Sequence, residues 1–356
     1  SAASDVYKRQ GIIMSLFLSL GAGTILSGVG VADALMQPAK TYLQIVGGFC
    51  ILNALIPICS SYLRAFGFSK EPLYASIIGN VINFCLNAFF LFVLHKGVAG
   101  VATATVISRI INLVIVVLLG AVLVKAKQHP ERESNRAVMG QIIRIGLPSA
   151  CETAIYNVSM TLVIRFLNQM DAQGLNVTAR SYTMQITNFS YCVGAALAQA
   201  NAIMTGWHIG AKEYDACDRG TRKAAIIGVI VAVILETMFA LCSGWIMQLF
   251  SKDPQMVSLV GKLLAIDIVL EMGRVTNLVY GQALKTSGDA VFPVVMGACF
   301  MILCSVGGTY LFGIRLGLLA VGAYIGMAGD ECVRAVGMYL RWKSGKWKEK
   351  GLVKSR

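Results

Sequence analysis

Long apolar stretches separated by short polar segments dominate the chain. Each stretch is about 20 residues or longer, the length that a helix needs to cross roughly 30 Å of hydrocarbon. Because backbone groups in lipid must be hydrogen-bonded within their own segment, the stretches are predicted to be helices, and the chain an all-α polytopic membrane protein. The ten predicted spans are residues 11–30, 42–65, 73–94, 98–124, 142–167, 181–205, 224–250, 257–284, 290–312 and 316–340.

Composition narrows the class of protein further. Of the 356 residues, 56% are hydrophobic and 14% are charged, whereas about a quarter of a soluble domain is usually charged. This balance excludes an ordinary soluble enzyme, a disordered protein and a nucleic-acid binder. The 10 cysteines and 3 histidines are dispersed, without metal-ligand or nucleophile–base spacing. We therefore expect no metal site, no cofactor and no enzymatic activity.

The net charge of +13 marks topology rather than a nucleic-acid partner. Basic residues concentrate in alternate loops and in the C-terminal tail. The positive-inside rule places these loops and the C-terminus in the cytoplasm, with the chain in the cell (inner) membrane. Trp342 and Trp347 in the basic tail predict an interfacial anchor on anionic lipid. The basic segments are residues 64–70, 125–136, 212–223, 285 and 341–356.

An internal repeat organises the chain. Arg64-x-x-Gly67-x-x-x-x-Pro72 recurs as Lys285-x-x-Gly288-x-x-x-x-Pro293, at an offset of 221 residues. Residues 39–40 resemble 261–262 at an offset of 222, and residues 97–101 resemble 317–321 at an offset of 220. The copies lie an even number of predicted helices apart, which indicates parallel repeats of the kind found in transporters.

The repeat also predicts the domain organisation. The second copy opens near Gln141, and its counterpart would precede Ser1. We therefore expect a whole protein of twelve helices, of which this chain holds the third to the twelfth, and we expect the chain alone not to transport. The predicted parts are a polar leader (1–10, either a native loop or a non-native extension), a partial first lobe of four helices (11–125), a cytoplasmic linker (126–140), a second lobe of six helices (141–340) and a basic cytoplasmic tail (341–356).

Several short motifs resemble the multidrug and toxic compound extrusion (MATE) family. The motifs are residues 143–150 (IRIGLPSA), Gly206-x-x-x-Gly210-Ala211-x-x-x-x-Ala216, Arg274-x-x-Asn277, and 283–289 (ALKTSGD) followed by Pro293. Their order and spacing are similar to the family's third to twelfth helices. The resemblance implies a two-lobe antiporter that exports organic, often cationic, drugs or toxins by alternating access, driven by a Na⁺ or H⁺ gradient.

Ionisable residues at membrane depth are costly and are therefore functional candidates. Glu152 shares a helical face with Ser149 and Tyr156, and can attract a cation or take up a proton. Asp267 and Glu271 share a face with Arg274 at i, i+4 and i+7. The candidates for coupling-ion binding are Glu152, Asp267, Glu271 and Glu236.

Each of these carboxylates also has a structural interpretation. Glu152 can be hydrogen-bonded to a neighbouring helix near the interface. Glu271 can form a structural ion pair with Arg274, three residues on. Glu236 requires a buried partner on another helix or a cavity.

A second set of polar residues is predicted to line a substrate cavity. Amide groups can instead hold helices together by hydrogen bonds, so both interpretations stay open. Asp330, Glu331 and Arg334 are predicted to form a local ion pair. The cavity candidates are Asn83, Asn87, Tyr156, Gln185, Asn188, Tyr191, Arg274 and Asn277.

Two other functions compete with the antiporter. A flippase of lipid-linked saccharides would need several cationic residues in a cavity to hold pyrophosphate, and the membrane cations are chiefly Arg109, Arg165 and Arg274. An intramembrane enzyme would need convergent His, Asp and Ser groups. We expect small organic substrates and membrane lipids as partners, no nucleic acid, and a monomer.

Overall fold

The computed structural model describes residues 2–29, 33–124, 135–170 and 174–349. All ten predicted spans coincide with helices, and no β-strand occurs among the described residues. The predicted all-α fold is therefore confirmed. The chain divides into two compact units, residues 1–142 and 143–356.

The described residues of the first unit form α1 to α6 and the start of α7. α6 packs against α3, α4 and α5, and Leu63, Ala75 and Val116 are buried at its centre. The last turns after α5 widen into a π-helix, Phe89–Val93. The helices are α1 (Ala2–Leu20), α2 (Ala22–Val29), α3 (Asp33–Gly48), α4 (Ile51–Ala65), α5 (Lys70–Ala88) and α6 (Gly97–Leu123).

The second unit is built around one central helix, α11, which packs against α8, α9 and α13. Asp253 caps its N-terminus by accepting a 3.0 Å hydrogen bond from the Gln255 amide, and Pro254 occupies the first turn, where a missing N–H costs nothing. The helices are α7 (Asn135–Met170), which crosses the boundary between the units, α8 (Leu175–Gly210), α9 (Tyr214–Leu241), α10 (Ser243–Met247), α11 (Pro254–Thr286), α12 (Val291–Phe300) and α13 (Leu319–Lys343).

Four described helical segments are long and apolar enough to cross a membrane, and the bent pair α3–α4 makes a fifth if it is one span. The long helices α7, α8, α11 and α13 fall outside this set. These four helices line an internal cavity with charged and amide side chains, which lower their mean hydropathy. The four segments are Lys70–Val93, Gly97–Leu123, Tyr214–Leu241 and Val291–Arg315.

The first half of the predicted repeat is visible in the backbone. Gly67 and Gly288 have φ of 90° and 91°, the left-handed conformation that ends a helix at low cost when the residue is glycine. The Phe68 amide donates to the Leu63 carbonyl at 3.0 Å, and the Asp289 amide donates to the Leu284 carbonyl at 2.9 Å. The same helix-ending motif therefore occurs twice, 221 residues apart.

In the second half of the repeat, the offset between equivalent backbone positions differs from the 220 residues that the sequence predicted. The Leu94 amide bonds to the Phe89 carbonyl, and Leu316 bonds to Leu311 in the same way, which is an offset of 222. Left-handed residues follow in both copies: His95 and Gly97 in the first, Gly317 and Leu319 in the second. Matching glycine to glycine was misleading, because a non-glycine residue takes the left-handed position once in each copy.

The extra residue of the second copy has a structural location. Between α12 and Gly308 the chain runs as a π-helix over Met301–Val306, whereas the equivalent part of α5 is α-helical. A π-helix closes its hydrogen bonds at i→i+5 and holds an additional residue in its turn, and such bulges often occur at functional sites. The inserted residue changes the backbone hydrogen bonds around Ser305 from the α-helical to the π-helical pattern. Ser305 lines the cavity of this unit.

Three segments of the sequence predictions lie partly outside the described residues. The linker prediction falls mostly on residues 125–134, and the end of the basic tail falls on residues 350–356. The backbone of the predicted leader is helical from Ala2 onward. In the tail, Trp342 and Trp347 are buried and stacked, with ring centroids 4.2 Å apart. The prediction that these two rings form an interfacial anchor is therefore wrong, because both pack inside the protein.

Candidate functional site

A cavity of about 730 Å³ lies inside the second unit. Its walls are the facing sides of α7, α8, α11 and α13, closed on one side by residues of α12 and of the π-helix that follows. The lining is mixed: aromatic rings, five methionines and amides alternate with eight charged side chains. A space of this size is in the range of small-molecule sites.

Two carboxylates share Arg274 at the centre of the cavity wall. Arg274 forms an ion pair with Glu271 one turn earlier on α11, and its Nε lies 3.5 Å from Glu331 on α13. Asn277 donates a 3.1 Å hydrogen bond to the second oxygen of Glu331. Since Arg274 contacts a carboxylate on each helix, a change in the charge of either one alters its balance between α11 and α13.

A second arginine continues the network on α13. Arg334 donates two hydrogen bonds to Asp330, at 2.9 and 2.8 Å, and lies 2.9 Å from Glu331. Ser305, in the π-helix, donates to Asp330 at 3.0 Å. The predicted local ion pair is present, and it belongs to a larger network in which Glu331 bridges Arg274 and Arg334.

A separate ion pair joins α7 to α11. Lys285 Nζ lies 2.6 Å from Glu152 Oε2. Lys285 follows Arg274 by eleven residues, which is roughly 16 Å along the helix axis. Glu152 therefore holds the C-terminal end of α11, away from Arg274. This contact agrees with the prediction that Glu152 can be hydrogen-bonded to a neighbouring helix.

Three buried carboxylates carry oxygens without a hydrogen-bond partner in the described part of the chain. Glu236 is 0% exposed; the hydroxyl of Ser190 lies close enough to donate to one of its oxygens, which leaves the other oxygen without a hydrogen-bond partner in the described part of the chain. Asp267 is 2% exposed and has an unbonded Oδ2, and Glu271 has an unbonded Oε2. The charged neighbours of Glu236 include Asp267, Glu271 and Arg274.

Close helix packing brings these carboxylates together. A Cβ built on Gly194 of α8 would lie 2.7 Å from Val275, and one built on Gly228 of α9 would lie 2.6 Å from it. Glycine at both positions therefore lets α8 and α9 approach α11 beside Glu271 and Arg274. Glu236 and Glu271 are closed to solvent at this point, so the carboxylates repel one another and depend on Arg274 for their charge balance.

Most of the chain is similar to one known protein family. The sequence profile of the MatE family matches residues 10–89 and 148–311, which together exceed half of the chain. The chain belongs to the MatE family. It is therefore a multi-pass membrane protein of a transporter family, as the motifs and the apolar helices predicted.

Two curated relatives are similar to nearly the whole chain. "Uncharacterized transporter YisQ" of Bacillus subtilis is 33% identical over 348 residues, covering 96% of this chain and 76% of that protein. "Probable multidrug resistance protein NorM" of Thermotoga maritima is 22% identical over 362 residues, covering 95% and 76%.

Solved structures agree on the MatE fold. The structure titled "Crystal structure of MATE in the bent conformation" matches with a TM-score of 0.85 and 17% identity, covering 97% of this chain and 77% of that one. A transporter of the MOP superfamily from Pyrococcus furiosus, whose title describes a reverse polarity of its binding pocket, matches with a TM-score of 0.87 and 17% identity, covering 96% and 77%. At these identities the likeness concerns the fold.

Seven of the residues predicted for this MatE chain line the cavity. Glu271 and Glu236 lie behind the wall, and Gln185 is exposed on α8 and does not line the cavity. The seven lining residues are Glu152, Tyr156, Asn188, Tyr191, Asp267, Arg274 and Asn277.

The first-unit candidates form their own hydrogen bonds. Asn83 donates to Ser108 at 3.1 Å, and Asn87 donates to Asn83 at 3.0 Å. The bond to Ser108 ties α5 to α6, as expected if the amide groups hold helices together, and the bond between the two asparagines lies within α5. The Oδ1 of Asn87 is buried and has no hydrogen-bond partner among the described residues.

Sequence reasoning missed three of the four cations in the cavity wall. Arg180, Lys285 and Arg334 line it together with Arg274, whereas Arg165 is exposed. Helical spacing carried a signal for Arg180, since Arg180, Met184, Thr187 and Tyr191 recur at i, i+4, i+7 and i+11 on one face of α8. The cavity therefore holds more cations than the sequence indicated for a flippase.

Proposed function

We propose that this MatE chain forms the ion-coupled part of an antiporter that exports organic cations, with H⁺ or Na⁺ as the coupling ion. One observation carries the proposal: Glu236, Asp267 and Glu271 are buried beside the cavity with unbonded oxygens. A buried carboxylate in which one or both oxygens lack a partner is costly as an anion. Binding a proton or a cation removes that cost, so these groups favour loading by the coupling ion.

Arg274 supplies the link between ion binding and movement. While Glu271 is charged, Arg274 is held on α11 by the pair with Glu271 and also reaches Glu331 on α13. When the coupling ion neutralises Glu271, Arg274 interacts more strongly with Glu331, and the attraction between α11 and α13 increases. A carboxylate balanced by arginine in one state and by the ion in the other is a two-state element of the kind that coupled transport needs.

The cavity chemistry supports an organic substrate with a positive charge. Tyr156 and Tyr191 offer aromatic faces that attract cations, and Asp267 presents a carboxylate whose Oδ2 has no hydrogen-bond partner among the described residues. Methionine side chains, which adapt their shape to different partners, line the rest. The cavity thus suits apolar cations of varied shape.

The proposal also covers the location, the orientation and the oligomeric state of the protein. The chain lies in the cell membrane, with the C-terminus in the cytoplasm and the basic tail at anionic lipid, and works as a monomer. No cofactor takes part apart from the coupling ion. Alternating access exposes the cavity in turn to the two sides of the membrane.

Because the chain alone is not expected to transport, the test is uptake of a fluorescent organic cation into proteoliposomes that contain the whole natural protein. With an imposed H⁺ or Na⁺ gradient, we expect the cation to accumulate against its concentration gradient. A proton ionophore abolishes the uptake if H⁺ is the coupling ion, and a Na⁺ ionophore abolishes it if Na⁺ is. Uptake that is unchanged when both gradients are collapsed contradicts the proposal.

Two matched variants make the test specific. Glu271→Gln removes the charge that Arg274 balances, and we expect gradient-driven uptake to fall to the level of empty liposomes. Glu213→Gln removes an exposed carboxylate that pairs with His208 at 2.9 Å outside the cavity, and we expect normal uptake. Equal effects of the two variants contradict the assigned role of Glu271.

A further inference from the structure

Arg180 is the cation of the cavity wall whose charge the described residues do not balance. Lys285 is paired with Glu152, Arg274 with Glu271 and Glu331, and Arg334 with Asp330 and Glu331. Arg180 is 6% exposed, and its one hydrogen-bonding contact among the described residues is a 3.7 Å approach of a terminal nitrogen to the Met160 sulfur. Its Nε is buried without a hydrogen-bond partner in the described part of the chain.

This arrangement is costly for an isolated protein. An arginine side chain cannot lose its proton in a protein, so it cannot escape the cost of burial by becoming neutral. A thioether is a weak acceptor and brings no compensating charge. A buried ion without a partner costs several kcal/mol. The fold nevertheless holds the Arg180 guanidinium in the cavity wall, on the face of α8 that also carries Met184, Thr187 and Tyr191.

The chemistry of the guanidinium defines the missing partner. Its planar fork of N–H donors matches the two oxygens of a carboxylate and forms parallel charge-assisted hydrogen bonds. Met160 and Met184 flank Arg180 in the lining, and Tyr324 and Tyr191 contribute aromatic surface. The partner is therefore an oxyanion attached to an apolar or aromatic body, rather than a fully hydrated inorganic anion.

We propose that Arg180 binds a carboxylate of the transported compound, so that the preferred substrates are zwitterions and not simple cations. The inference rests on the proposed function, because it takes the second-unit cavity to be the substrate site. It adds a substrate class: an organic cation that also carries a carboxylate. Asp267 and the tyrosine rings face the positive part of the compound, and Arg180 receives the negative part.

A matched pair of dyes tests the proposal. The probes are a zwitterionic xanthene dye with a free carboxylate and the methyl ester of the same dye, which is a simple cation. In fluorescence-anisotropy titrations of the purified chain, we expect the carboxylate dye to bind more tightly. Arg180→Gln should weaken binding of the carboxylate dye by about tenfold or more, since a hydrogen bond to a charged group is worth more than about 1.4 kcal/mol. Binding of the ester should be unchanged.

Two further variants separate the charge of Arg180 from its shape and from general effects. Arg180→Lys keeps the charge and loses the fork, and should give an intermediate affinity for the carboxylate dye. Arg165→Gln removes an exposed arginine of α7 outside the cavity lining, and should leave both dyes unaffected. The ester titration also shows that each variant is folded.

The outcomes distinguish the inference from the proposed function. Equal loss of both dyes in Arg180→Gln, or no loss of either, overturns the role of Arg180. Weaker binding of the carboxylate dye than of its ester by the native chain overturns the zwitterion preference. Arg180-dependent binding without gradient-driven uptake supports the site while contradicting the antiporter.

Discussion

Gly273 of α11 lies against the backbone of Cys332 in α13. A Cβ added to Gly273 would come within 2.8 Å of the Cys332 nitrogen, closer than a side chain can approach. This contact allows the two helices to meet at the point where Arg274, the next residue, reaches Glu331, the residue before Cys332. The position of the charge network therefore depends on the absence of one methyl group.

Gly273→Ala is expected to separate the helices and to weaken the contact between Arg274 and Glu331. Overpacking of this kind costs about 1–3 kcal/mol, and gradient-driven uptake should fall together with the thermal unfolding midpoint. The control is Gly220→Ala in α9, where an added Cβ meets nothing within 4 Å. Stability and uptake equal to the unmodified chain in Gly273→Ala would show that the close approach is not needed.

The pair between Lys285 and Glu152 is expected to stabilise the contact between α7 and α11. Both side chains are mostly buried, with 18% and 19% exposed, so removing either partner leaves a poorly hydrated charge. In a double-mutant cycle of Lys285→Met and Glu152→Gln, we expect a coupling energy of about 1–2 kcal/mol from unfolding measurements.

The matched control is the pair of Arg222 and Asp218 in α9, which lies 3.2 Å apart with 59% and 34% exposure. An exposed i,i+4 pair contributes about 0.3–0.5 kcal/mol. A coupling energy for Lys285 and Glu152 no larger than that of the control would mean that the ion pair is not a structural tie.

Arg334 is expected to be the most sensitive residue of the network. It is 4% exposed and balances two carboxylates, so Arg334→Met leaves Asp330 and Glu331 buried with less compensation. Loss of one partner of a buried pair costs about 3–5 kcal/mol. Arg334→Lys keeps the charge but loses the paired hydrogen bonds to Asp330, and should be intermediate. Thermal unfolding in detergent gives the order; an equal midpoint for all three proteins would contradict it.

The sequence predicted what depends on local spacing. Apolar length was enough to identify the helices, and residues three or four apart on one helix could be paired, as for Glu271 with Arg274 and Asp330 with Arg334. Contacts between distant residues were not accessible. Lys285 and Glu152 are 133 positions apart and Asn277 and Glu331 are 54 apart, and no periodicity within one helix shows which face meets which.

The internal repeat could also be aligned only in part from the residue types. The turn at Gly67 and Gly288 was found because the same residue type occupies the left-handed position in both copies. The turn that follows was matched at an offset of 220, although the backbone requires 222, because His95 and Leu319 take left-handed positions without being glycine. The additional residue lies in the π-helix Met301–Val306, which no residue pattern predicts.

The central claim is that buried carboxylates beside the cavity bind the coupling ion. The most direct measurement is the release of H⁺ or Na⁺ when a cationic dye is added to the purified chain, followed with a pH indicator in weak buffer and with a Na⁺ electrode. We predict release of one of the two ions, lost in Glu236→Gln and Asp267→Asn and retained in Glu213→Gln. Dye binding without release of either ion, or release that both carboxamide variants retain, would contradict the account.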